Sequence, residues 1–182
     1  MPGRDYNKII SLVGQDLTRV LIPVYYLYPR SLLEHLGDML MHIDLLDSPE
    51  SVLFNPMSPS LQSENPYNRF MLLLKWYLSS WHYQIHGCKK PYNPIIGETF
   101  ACVVDTGESR VSYIAEQCSH HPPISAFYLE NQKKQYCVNG YIWTQSKFTG
   151  NCALSSMVGD IAIYLPRFGD EVGIGFYWKN EL

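Results

Sequence analysis

Two adjacent histidines, His120 and His121, are the residues of this chain best equipped for chemistry. They lie inside the string Glu116-Gln117-Cys118-Ser119-His120-His121-Pro122-Pro123-Ile124. Imidazole N–H groups can meet an anion, and histidine is also the common general base. Successive strand side chains point to opposite faces, so two neighbours can address one ligand only where the chain bends. Pro122 biases His121 toward an extended conformation, and neither Pro122 nor Pro123 can donate to a sheet ladder. The pattern predicts interrupted pairing at this point, with both rings free to face one anion. The plainer reading is that the pair merely ends a loop.

A second string, Gly87-Cys88-Lys89-Lys90-Pro91-Tyr92-Asn93-Pro94-Ile95-Ile96-Gly97-Glu98-Thr99-Phe100, holds a lysine and an amide close together between prolines. Lys90 is a compact charge suited to phosphate, and Asn93 can donate as well as accept. By itself such a stretch reads as a solvated turn.

Other chemistries fit poorly. Cys118 with His120 and His121 is the nearest approach to a metal cluster, and it lacks a second cysteine pair at zinc spacing. No metal site and no cofactor is expected. A hydrolase would need the histidines to work with Ser119 or Glu116. The sequence has no Gly-Xaa-Ser-Xaa-Gly elbow, no His-Glu-Xaa-Xaa-His pair and no phosphate-cradling glycine loop. The expectation is a protein that binds without catalysing.

Composition narrows the class. A chain of 182 residues with 46% hydrophobic and 17% charged residues is globular with a real core. The 14% aromatic share suits β structure or an apolar cavity. A net charge of −3 supplies no basic surplus for nucleic acid. The five cysteines are odd in number and irregularly spaced, and no apolar leader precedes them, so reduced thiols in the cytoplasm are expected. The most apolar stretches, Val20 to Tyr28 and Met71 to Leu78, are broken by Pro23 and Lys75 and fall short of the ~20 residues of a membrane span. Any membrane contact is expected to be peripheral.

The elements that must carry these strings follow from periodicity. Tyr6 to Val13 is a short apolar stripe, Ile9, Ile10, Leu12 and Val13, followed by Leu17 and an extended segment running to Pro29. Ser31 to Leu46 reads as one helix, with Ser31 and Glu34 as a capping box and an apolar face of Leu32, Leu33, Leu36, Met39, Leu40 and Ile43. Asp47 to Glu64 is a loop. A second helix opens with Asn65 as N-cap and Pro66 at its first position, and runs to about Trp81. Its apolar residues nearly surround it, which predicts deep burial. From Glu98 onward the chain reads as consecutive strands: Phe100 to Asp105, Val111 to Glu116, Ile124 to Leu129, Tyr136 to Phe148, Cys152 to Met157, Asp160 to Leu165 and Glu171 to Tyr177. Short connections favour antiparallel pairing throughout. Gly140 inside the longest strand suggests a bulge or tight bend.

The nine-residue histidine string resembles the fingerprint of the oxysterol-binding-protein family of lipid-transfer proteins, with Cys118 where that family usually has valine. The lysine string also resembles the family's Lys-Lys-Pro-Xaa-Asn-Pro-Xaa-Xaa-Gly-Glu motif, and the resemblance extends from about Asp16 to Tyr177. It implies an α+β fold: an N-terminal lid and two helices, then an antiparallel β-meander that is part of a large, incomplete β-barrel with a lipid tunnel. Residues 1–30 would be lid and extended segment, 31–86 helical, and 87–182 early barrel strands of a partial lipid-binding domain. The resemblance assigns the lipid headgroup phosphate to Lys90, Asn93, His120 and His121. It makes Tyr6 to Pro23, with Ile9, Ile10, Leu12, Val13 and Leu17, the lid over the tunnel; without it, an ordinary N-terminal helix is the reading.

The function so implied is non-vesicular intracellular lipid transfer, exchanging phosphatidylinositol 4-phosphate for phosphatidylserine or a sterol between organelle membranes, on which the protein sits peripherally. Tyr141 to Phe148 looks closest to the subgroup that carries phosphatidylserine and phosphatidylinositol 4-phosphate. The family's domain is longer, so the chain is expected to be a fragment, a short isoform or an incomplete gene model. The rival reading is therefore a truncated regulatory or non-functional form without a closed tunnel.

Overall fold

A computed structural model of the chain describes residues 24, 27–47, 61, 63–80, 90–148 and 153–181. The expected lid, with Ile9, Ile10, Leu12, Val13 and Leu17, lies outside the described residues.

Alternation of apolar and polar residues, the pattern of a half-buried strand, is clearest between 110 and 131, where buried and more exposed positions succeed one another. Six strands, β3 (Thr99–Asp105), β4 (Arg110–His120), β5 (Pro123–Asn131), β6 (Tyr136–Phe148), β7 (Ala153–Leu165) and β8 (Asp170–Glu181), form one sheet in sequence order. Every neighbouring pair in it is antiparallel. The expected meander is present, with one correction. Cys152 to Met157 and Asp160 to Leu165 are not two strands: β7 runs unbroken from Ala153, and Gly159 pairs with both Ile142 and Phe176. Partners on both sides hold extended a Gly-Asp step that local preference reads as a turn.

Gly140 is a second correction. Its pairing with Phe127 and Ile161 is regular, without a bulge. The residue is glycine because a Cβ there would lie 2.7 Å from the Asp160 carbonyl oxygen and 2.7 Å from Cζ of Phe127.

A second, two-stranded sheet pairs β1 (Leu27–Ser31) with β2 (Lys90–Tyr92) in parallel. The expectation of antiparallel pairing concerns the strands after Glu98 and does not extend to this pair, which periodicity does not announce. The two strands are far apart in sequence, so hairpin logic does not constrain their direction.

The expected helix from Ser31 to Leu46 is broken into α1 (Leu32–Leu36), a 3₁₀ segment (Gly37–His42) and α2 (Asp44–Asp47). Neither half of the predicted capping box caps. The Ser31 hydroxyl donates to Glu98 Oε1 at 2.6 Å, and the Glu34 carboxylate receives Arg30 Nε at 2.9 Å. Arg30 also donates to both oxygens of Asp38, at 2.9 and 2.7 Å, tying the strand end to the 3₁₀ turn. The apolar stripe survives the break: Leu32, Leu33, Leu36, Leu40 and Ile43 are all buried.

The helix α3 (Pro66–Ser80) begins as expected, with the Tyr67 N–H donating to Asn65 Oδ1 at 3.0 Å. Deep burial on all sides is not found. Leu72, Leu73 and Trp76 are buried, but Phe70 is 45% and Leu78 60% exposed, so one face packs and the other does not. The buried Arg69 anchors the first turn. Its Nη1 donates to the carbonyls of Ser63 and Glu64 at 2.7 and 3.0 Å, its Nε and Nη2 donate to Asp170 Oδ2, and its guanidinium lies 4.0 Å over the Phe168 ring.

Helices and sheet share one core. One sheet face carries Val111, Tyr113, Phe127, Leu129, Val138 and Ile163, all buried with the leucines of α1 and α3. The Tyr113 hydroxyl donates to the Leu33 carbonyl at 3.2 Å. Each fully buried aliphatic side chain contributes ~1.5–3 kcal/mol relative to exposure, so this face holds the architecture. The opposite face is open. Val103, Ile114, Tyr128, Tyr141, Tyr164 and Tyr177 are exposed there, and a hollow of roughly 330 Å³ lies over Ala101, Val103, Ser112, Ile114 and Tyr128.

Candidate functional site

The site is built where β4 turns into β5. Pairing runs in register to Gln117↔Ser125 and resumes at Ser119↔Ile124, so Cys118 is the extra residue of a β-bulge. A bulge bends its strand and increases the local twist. Beyond it the ladder continues to His120↔Pro123. The expected interruption is thus a bulge four residues before Pro122 rather than a gap at the prolines. Pro123 opens β5, a position where a strand tolerates a missing N–H. His121 and Pro122 form the turn, across a cis peptide bond.

Both imidazoles come together. Their ring centroids are 4.8 Å apart and the rings are tilted by 61°. His121 is exposed, His120 is half-buried, and His120 Nδ1 is shielded from solvent with no hydrogen-bond partner. No hydrogen bond joins either ring to Ser119 or Glu116 among the described residues.

Lys90 is the first residue of β2, paired with Leu27 of β1, and Asn93 follows directly after that strand; both are half-buried. The chain from Asn93 to Glu98 is then fastened to β4. The Gly97 N–H donates to the Gln117 carbonyl at 2.9 Å, and the Gln117 N–H donates to the Glu98 carbonyl at 3.0 Å. These bonds extend the β3–β4 ladder by one rung beyond Thr99↔Glu116. Gly97 sits at φ +77°, a conformation that favours glycine, and so the loop can turn into the sheet. The Glu98 carboxylate closes the loop, accepting from the Ser31 hydroxyl at 2.6 Å and the Ile95 N–H at 3.1 Å. The loop holding Lys90 and Asn93 therefore joins β4 three residues before His120.

Gln117, Ser125, Glu98 and Ser31, none of them an expected site residue, hold the two loops in place. Gln117 was open to notice. Strand alternation from Val111 through Tyr113 and Ala115 places it on the core face, where an amide needs partners. The destinations of Ser31 and Glu98 carry no local signal.

Among the described residues no group of three or more histidine, cysteine, aspartate or glutamate side chains could hold a metal ion, and no helix is long and apolar enough to cross a membrane. What the site offers is N–H donors on two adjacent imidazoles, one with a buried nitrogen that none of the described residues satisfies.

The family model described as oxysterol-binding protein matches residues 6–180. Oxysterol-binding protein-related protein 8 of Mus musculus is 42% identical over 160 residues, covering 87% of this chain and 17% of that protein. Oxysterol-binding protein 4 of Dictyostelium discoideum is 39% identical over 177 residues, covering 93% of this chain and 36% of its own length. Among solved structures, the Osh1 ORD domain in complex with ergosterol aligns over 97% of this chain and 39% of that one, with a TM-score of 0.75 and 27% identity. The Osh3 ORD in complex with PI(4)P from Saccharomyces cerevisiae aligns over 92% of this chain and 41% of that one, with a TM-score of 0.71 and 20% identity, a likeness of fold. The chain thus spans well under half the length of each of these proteins.

Proposed function

Because this chain belongs to the oxysterol-binding protein family, we propose that it takes part in non-vesicular lipid transfer by gripping a phosphoinositide headgroup at the β4–β5 turn. His120, His121, Lys90 and Asn93 are the headgroup residues in this reading. Phosphatidylinositol 4-phosphate is the ligand, exchanged for phosphatidylserine or a sterol. The acyl chains or sterol lie along the open sheet face, whose exposed Val103, Ile114 and Tyr128 and adjoining hollow are otherwise unaccountably apolar.

The observation that carries the reading is the shielded, unpartnered Nδ1 of His120 beside a second imidazole. Buried polar atoms in native proteins have partners, and none of the described residues supplies one for this nitrogen, which leaves it for a ligand. A phosphate supplies acceptor oxygens for both rings and for a lysine. Binding without catalysis is the reading this arrangement favours, since among the described residues neither ring is hydrogen-bonded to a nucleophile.

The test is extraction of phosphatidylinositol 4-phosphate from liposomes, with co-purified lipid identified by native mass spectrometry. His120→Ala with His121→Ala should abolish extraction, because each charge-assisted bond of ~1.5–3 kcal/mol corresponds to roughly ten- to a hundredfold in affinity. A chemically altered lipid product formed by the wild type alone would replace this reading with an enzymatic one.

The rival reading, a form that keeps the headgroup residues without transferring lipid, has its own support. Within the six-stranded sheet β3 and β8 each have a single neighbour among the described residues. Stoichiometric lipid bound to a soluble monomer speaks against that form; an oligomer without lipid speaks for it.

A further inference from the structure

The geometry points to Gln117 as the positioning residue of the phosphate site: its side chain braces the bulge that aims the histidines, and its main chain fastens the loop bearing Lys90 and Asn93. This rests on the phosphoinositide reading above and adds to it the device that assembles the four residues.

Gln117 is fully buried, on the same face of β4 as Val111, Tyr113 and Ala115. An amide in that place is costly unless its hydrogen bonds are made. They are made in four directions. Oε1 accepts from the Ser125 hydroxyl on β5, and Nε2 donates to the Ser119 carbonyl at 2.7 Å. The main-chain carbonyl and N–H hold Gly97 and Glu98.

The Nε2 bond is the informative one. It spans the bulge from the residue before Cys118 to the residue after it, and gives the Ser119 carbonyl a partner inside its own strand. The Ser125 hydroxyl, itself buried, gives Oε1 its partner, while the bond across the bulge is made by Nε2 alone. An apolar side chain of the same size would satisfy neither Ser119 nor Ser125, and regular pairing without a bulge would then compete. Moving β4 by one residue transfers every later side chain to the other face. His120 would leave the side it shares with His121, and the loop fastened to Gln117 would lose its alignment with the turn. A valine or methionine would fill the same core position; the amide is explained by the bulge.

Three variants of the full chain separate positioning from stability: Gln117→Met, Gln117→Glu and Ser125→Ala. Gln117→Met loses both side-chain bonds. Gln117→Glu keeps the acceptor for Ser125 and, when ionised, loses the donor to Ser119; when protonated it regains that donor. Ser125→Ala removes the β5 anchor but leaves the bond across the bulge. Binding of soluble dioctanoyl phosphatidylinositol 4-phosphate is measured at a temperature where unfolding curves show each variant folded.

Gln117→Met should bind about tenfold more weakly or worse, the equivalent of losing one charge-assisted bond. Ser125→Ala should stay within about twofold of wild type. The affinity of Gln117→Glu relative to wild type should recover as pH falls and the buried carboxyl takes up its proton. Wild-type affinity in Gln117→Met, or losses in all three variants that merely track their stability, would overturn the proposal. If Gln117→Met does not fold, the pH recovery of Gln117→Glu carries the test, and its absence overturns the proposal. A wild type that binds no phosphoinositide refutes the functional reading instead. Positioning then stands or falls on the ¹⁵N imidazole resonances of His120 and His121, which must shift in Gln117→Met and must not in Ser125→Ala.

Discussion

Gly140→Ala sets strand propensity against packing, and the two predict opposite signs. Alanine restricts the unfolded chain more than glycine does, and by that effect alone the change stabilises by ~0.4–1 kcal/mol. Packing opposes it. The new Cβ falls 2.7 Å from the Asp160 carbonyl oxygen and 2.7 Å from Cζ of Phe127. Neither neighbour can give easily: the carbonyl belongs to the β6–β7 ladder, and the Phe127 ring is buried, stacked on Tyr113 at 6.4 Å. Overpacking of a tight core site costs ~1–3 kcal/mol. The net expectation is destabilisation by about 1–2 kcal/mol, or a fall in Tm of roughly 2–8 °C at this chain length. Gly173→Ala is the internal control, since a Cβ there has nothing within 4 Å; it should be neutral or stabilising by up to ~1 kcal/mol. Urea denaturation of both variants reads the difference directly, with unchanged m-values. Equal effects at the two glycines would show that the clash is relieved by motion the packing does not suggest, and the reasoning fails.

Other expectations are simpler. Arg69→Ala strips four donated bonds and leaves Asp170, 36% exposed, without its partner; urea unfolding should show a loss of ~1–3 kcal/mol, and no measurable loss would mean the clamp is idle. Burial holds the His35 imidazole below its ordinary value despite its contact with Asp38. The unfolded chain therefore binds a proton that the folded chain declines, so stability is fully present above pH ~6.5 and falls as pH drops below it; in His35→Gln that part of the slope should vanish. Burial also pushes the Cys102 thiol up, whereas Cys118 is exposed on the bulge. Maleimide labelling followed by peptide mapping should modify Cys118 before Cys102, and the reverse order would contradict the placement of β4.

Much of the fold was legible because its signals are local. The alternation through Val111, Tyr113 and Ala115 defines a strand whatever it pairs with, and short connections leave little choice but a meander. Asn65 and Pro66 start α3 through bonds within one turn. The paired histidines were visible as neighbours in the chain. Non-local partners decided the rest. Ser31 abandons its capping box for Glu98, 67 residues away, and Glu34 turns to Arg30, and the first helix breaks at Gly37 where periodicity alone continues it. Gly159 stays extended because Ile142 and Phe176 pair on either side, and Gly140 is small because Phe127 lies across it. At the site, residue types nominate His120, His121, Lys90 and Asn93, but only the tertiary structure joins their two loops, through the hydrogen bonds of Gln117. Propensity and periodicity belong to a segment, whereas a hydrogen-bond partner or a forbidden Cβ position exists only after distant segments have packed.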